Sequence, residues 1–227
     1  MTHDMKTLFA CALLGCALLV SGCGGTDQPT EKKSEPGKRR AALLSDLGST
    51  ATTLDAAGCS IETPRMVAAA HAELPSPSDW SSDPPTSGKH NEKWASWGRY
   101  DTKVEDRYVI HNLEHGGVAL WLGDGLDTQL TSRIDETLLK PKRKWIVVPR
   151  PELTGLAAAS WGTLLRCTPD ALNKLGGDAT VEALQAWYEA TNSKQTINEA
   201  RIPAYAGTLE KPRPVTDISI PRPTSPN

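Results

Sequence analysis

The sequence predicts an α+β fold, a single small domain with a mostly antiparallel sheet and two or three helices, flanked by a disordered tether and a Pro-rich tail. Three observations predict it. Apolar, strand-like runs such as Val118–Leu122 and Lys144–Val148 are bounded by turn residues. Between them a helical period shows in Leu130, Ile134 and Leu138, which repeat every four residues. The stretch between the two polar flanks holds roughly 150 residues, enough for one core.

The flanks come first. From Met5, the expected start, the chain reads Met-Lys-Thr, then an apolar run from Leu8 to Val20, then Val20-Ser21-Gly22-Cys23. A basic residue, a short apolar region and small residues before a cysteine form a bacterial lipoprotein signal over residues 1–22, cut before Cys23. The run falls short of the about 18 apolar residues that a spanning helix needs. Several acyl chains, palmitate among them, on Cys23 would give a stable membrane anchor. Localisation is then the bacterial cell envelope, lipid-anchored. Gly24 rather than aspartate after the cysteine points to the outer membrane where the organism has one. Residues 23–40 are polar and rich in Lys, Glu, Pro and Gly, a composition that reads as a flexible tether. Residues 196–227 carry recurring prolines and no sustained apolar period, an extended tail. The globular domain is therefore expected over residues 41–195.

Within it, Arg107–Ile110 has β-branched and aromatic strand content, and Gly116-Gly117 closes a tight turn or single helical turn bearing His111, Glu114 and His115. Val118–Leu122 follows as a buried strand, ended by Asp124-Gly125. Asp127 is the expected N-cap of the next helix. Lys144–Val148 is a strand, Leu156–Leu165 contains another that ends near Cys167, and a last amphipathic helix spans Thr180–Ala190 with Val181, Leu184 and Trp187 inward. The run Lys140–Lys144 reads as a solvated turn.

Composition narrows the function. With 25 basic and 27 acidic residues the formal net charge is −2, so electrostatics give no argument for nucleic acid. Cys59 and Cys167 lie near opposite ends of the folded region in a compartment where disulfides persist; they are expected to bridge, against two free thiols or soft metal ligands. Seven tryptophans against one phenylalanine make the indoles the main large aromatic groups of the core. Trp80, Trp94 and Trp97 either pack the Asp83–His90 loop onto the sheet or wall a site, and packing is the expectation.

His111-Asn-Leu-Glu-His115 matches the HxxEH pattern of one class of zinc peptidases. Those enzymes carry it inside a long helix, and the glycines after His115 argue against that reading. Upstream, Asp83-Pro-Pro-Thr-Ser-Gly-Lys-His90 is a stiff loop that delivers His90. All four histidines beyond His3, namely His71, His90, His111 and His115, crowd into one region rather than scattering. With Glu114 beside them, a mononuclear zinc or copper site is a reasonable expectation, with His90, His111 and His115 as ligands and Glu114 as a fourth ligand or a partner to one. The alternative is a non-enzymatic structural or protein-interaction module in which the His/Glu turn only stabilises the fold.

Pro84-Pro-Thr-Ser-Gly-Lys-His90, Trp97-Gly-Arg-Tyr100 and His111-Asn-Leu-Glu-His-Gly-Gly-Val118, in this order and spacing, resemble the bacterial domain of unknown function 3105 family. The resemblance extends to Ile146–Pro149 and Ser160-Trp161-Gly162. It implies a secreted or membrane-anchored protein and no particular activity. It also places His71 with a histidine that family members carry before the Pro-Pro-Thr-Ser-Gly loop, which adds His71 to the candidate ligands; Trp80, where a tyrosine is common, and Lys89 and Asn91 beside His90 depart from the pattern.

Overall fold

A computed structural model of the chain describes residues 35–140 and 143–192. The expected signal, Cys23 and the expected Pro-rich tail lie outside the described residues.

The chain opens with helices α1 (Pro36–Leu47) and α2 (Ser49–Ala57). Strands β1 (Ser60–Glu62), β2 (Ala70–His71), β3 (Lys89–His90) and β4 (Gly98–Arg99) follow, all short. Next come α3 (Asp106–Glu114), β5 (Val118–Asp124), α4 (Thr128–Leu138) and β6 (Trp145–Thr154). A hairpin of β7 (Leu156–Ser160) and β8 (Thr163–Cys167) leads to α5 (Pro169–Leu175) and α6 (Gly177–Asn192). The main sheet has the order β1-β8-β7-β5-β6-β4; the first three pairings are antiparallel and the last two parallel, while β2 and β3 form a separate parallel pair. The predicted α+β class with a mostly antiparallel sheet therefore holds, with six α-helices among the described residues instead of two or three.

Both faces of the sheet are buried, which is why β5 is apolar without alternation. Val118, Leu120 and Leu122 belong to one core with residues of α1, α2, α4, α5 and α6; Ala119 and Trp121 belong to the other with Val109, Ile110 and Leu113 of α3. The tryptophans fill these cores as expected: Trp121, Trp145, Trp161 and Trp187 are all buried. Asp127 caps α4, its carboxylate accepting from the Gln129 N–H at 3.0 Å. Cys59 and Cys167 are bridged, their Cα atoms 4.4 Å apart and 108 residues apart in sequence, which ties the end of α2 to the end of β8.

Four expectations need correction. Arg107–Ile110 is not a strand but part of α3: Val109, Ile110 and Leu113 recur at helical spacing against the sheet, and this burial overrides the β-branched content. Asp106 in the first turn of α3 accepts two hydrogen bonds from Arg150 Nη1 at 3.0 Å, anchoring that end. The tether does not reach residue 40, because Pro36 starts α1, Leu43 and Leu47 are buried, and the Arg39 and Arg40 guanidinium groups donate to the carbonyls of Pro64 and Ile61. Leu156–Leu165 holds parts of two strands, turned at Trp161-Gly162, where Gly162 has φ 73°. Lys144 is not solvated: it is buried, and its ammonium donates to the His115 carbonyl at 2.9 Å.

Candidate metal centre

On the α3 side of the sheet, three separate segments bring ligating side chains to one place. His111 and Glu114 stand three residues apart on α3 and so share a helix face. His90 ends β3, and the parallel register sets His71 of β2 beside it. One ligand atom from each of His71, His90, His111 and Glu114 lies within 4.8 Å of every other.

The stiff loop has a specific task. Gly88 has φ 130°, and a Cβ there would sit 2.1 Å from the Asp79 carbonyl oxygen, so only glycine lets the chain pass. Around it, Ser87 Oγ accepts from the Val67 N–H at 2.9 Å, the Ser81 N–H donates to the Ser87 carbonyl at 3.1 Å, and Trp80 Nε1 donates to the Lys89 carbonyl at 3.0 Å. The result is a fixed Gly88 carbonyl 2.9 Å from His90 Nδ1. On α3, His111 Nδ1 lies 2.6 Å from the Asn91 carbonyl.

A carbonyl oxygen only accepts, so both Nδ1 atoms carry the proton. In the neutral rings both Nε2 lone pairs then remain for another partner. His90 Nε2 is 2.9 Å from Glu114 Oε2, and His111 Nε2 is 3.9 Å from the same oxygen. Two lone pairs do not approach to 2.9 Å without a cation between them. A proton meets that need by making His90 an imidazolium, and a metal ion meets it with neutral His90. A tetrahedral ion with bonds of roughly 2.0–2.1 Å sets its donors about 3.3 Å apart, between the two separations above.

Electrostatics favour a neutral His111 and an ionised Glu114. Burial, then the neighbouring His115, pushes the His111 ring down to about 4. Burial also takes His115 down to about 4, with the Lys144 ammonium adding to the fall and Glu114 opposing it. For Glu114, burial works to raise the carboxyl, but the His90 hydrogen bond and the surrounding imidazoles together hold it below the usual range.

His115 is not one of the four converging groups. It is the C-cap of α3, where the helix ends, and its ring rests 4.4 Å from that of His111 and 4.5 Å from that of Trp94, edge on. The structure thus gathers Glu114 with His111 instead of the His111–His115 pair that an HxxEH peptidase uses. Trp94 borders the site, Trp97 packs into the core, and a Cβ on Gly117 would meet the Trp97 ring at 2.2 Å. That close approach, with the positive φ of Gly116, accounts for the glycine pair after the motif.

Two asparagines were not singled out as functional by sequence reasoning. Asn112 clamps the backbone of Ala95, accepting its N–H at 3.0 Å and donating to its carbonyl at 2.8 Å. Asn91 supplies the carbonyl under His111, and its side chain donates to the Glu73 carbonyl at 2.9 Å. Beside His71 opens a cleft of about 560 Å³, walled in part by Glu73, Leu74, Lys93 and Tyr108.

The family described as Protein of unknown function (DUF3105) matches residues 71–199, more than half of the 227-residue chain. No curated protein and no solved structure matches it.

Proposed function

We propose, for a chain that belongs to the DUF3105 family, that it is an envelope lipoprotein whose domain binds one transition-metal ion through His71, His90, His111 and Glu114. One observation carries the metal reading. Main-chain carbonyls hold His90 and His111 by Nδ1, and Glu114 stands against the freed Nε2 atoms. Orientation of ligand imidazoles by such outer partners is how proteins prepare metal sites. Zinc and copper both suit three imidazoles and a carboxylate. The lipid anchor rests on the signal pattern that ends at Cys23.

A second reading takes support from the His90–Glu114 contact itself, which joins β3 to α3 and can serve as a structural link in a non-enzymatic module. Metal analysis of the untagged, detergent-solubilised full chain decides between them. The metal reading expects about one equivalent of zinc or copper after loading, lost in His90→Ala and His111→Ala. Wild type that takes up neither metal, with the two variants changed only in melting temperature, would leave the structural reading.

A further inference from the structure

We propose that His71 is the exchange ligand of this centre: its bond to the metal is the one that breaks when the ion passes to or from a small nitrogen- or oxygen-donor ligand entering by the adjacent cleft. The inference rests on the metal reading above.

Three differences separate His71 from its companions. It is the exposed member of the four, whereas His90 and His111 are buried and Glu114 is intermediate. It lines the cleft of about 560 Å³, whose walls include none of the other three. Its imidazole contacts the rings of His90 and His111 at centroid distances of 5.1 and 5.0 Å. Among the described residues, however, no carbonyl holds its ring as Gly88 and Asn91 hold those of His90 and His111.

A fixed tripod of His90, His111 and Glu114 with one loosely held arm exchanges metal by substitution. The entering donor atom binds the ion from the cleft, the metal–nitrogen bond to His71 breaks, and the imidazole moves outward. The oxidation state of the ion does not change. Three protein bonds hold the ion until further donor atoms of the same ligand replace them.

The test loads the solubilised full chain with zinc, removes the excess by gel filtration, and follows transfer to the chromogenic chelator pyridylazoresorcinol by absorbance. His71→Ala and His71→Gln are expected to keep about one equivalent of zinc and to release it at least roughly tenfold faster than wild type, while His111→Ala comes off the column empty. Because His71 is exposed, both variants should melt like wild type when metal-free. Emptying of the His71 variants to the same extent as His111→Ala, or release at the wild-type rate, would overturn the exchange role and leave the metal reading standing. Wild type that binds no zinc would overturn the metal reading itself, and this inference with it.

Discussion

Glu114→Gln separates a metal centre from a structural hydrogen bond, because it removes the charge of the side chain and keeps its shape. Without metal, the new amide N–H can donate to His90 Nε2 while Nδ1 still donates to the Gly88 carbonyl, so the contact now at 2.9 Å survives as a neutral bond. Charged hydrogen bonds contribute about 1.5–3 kcal/mol and neutral ones about 0.5–1.5, so the cost is about 1 kcal/mol. For a domain of this size that lowers Tm by about 2–4 °C. The metal-bound state loses far more, since Glu114 is the only anionic member of the four. If affinity falls about 100-fold, the stabilisation given by zinc at 100 times the wild-type Kd drops from about 2.7 to about 0.4 kcal/mol. Differential scanning fluorimetry with and without zinc reads both numbers. A zinc-induced rise in Tm as large as that of wild type, together with a metal-free loss of more than about 10 °C, would refute the reasoning and make Glu114 a structural partner.

Three further outcomes are expected. Since His111 and His115 are held down to about 4 in the fold against 6.5 when free, the unfolded chain binds more protons between those values. Stability should therefore fall as pH drops from 6.5 toward 4, each ring contributing up to about 1.4 kcal/mol per pH unit, and urea titrations that show a flat profile there would contradict this. Removing the Cys59–Cys167 bridge by Cys59→Ser with Cys167→Ser should cost about 4 to 5 kcal/mol by the loop-entropy account, read from the shift in denaturation midpoint. Cys23→Ser should lose palmitate labelling; label retained on the variant would remove the anchor.

How much of this could be read in the sequence depended on whether the signal was local. Asp127 before a four-residue apolar period, the glycine pair after His115 and the strand at Val118 are local patterns, and each appears where expected. The helix over Asp106–Glu114 was hidden because four strand-like residues outweighed the spacing of Val109, Ile110 and Leu113, which has meaning only against a sheet face. Helix α1 was hidden by a polar composition at its start, although Leu43 and Leu47 bury its far end. His71, His90, His111, His115 and Glu114 all stand out in the sequence as candidate ligands. The choice of His71 over His115 follows from the β2–β3 register, a pairing of residues 19 positions apart that no local period records.

The two carbonyls that aim the imidazoles belong to the main chain, at Gly88 and Asn91. An engineer who copied the three histidines and the glutamate onto another scaffold would transfer the donor atoms without their aim, and each ring would be free to rotate or to present its other nitrogen. A successful graft must carry the backbone path from Trp80 to Asn91 together with α3. For the same reason, substitution of Asn91 by another residue can leave the centre intact, provided the peptide plane keeps its orientation. In this centre the aim of the rings is a property of the chain's path, and at residue 91 the side chain helps to hold that path through its bonds to the Glu73 carbonyl and the Lys93 N–H.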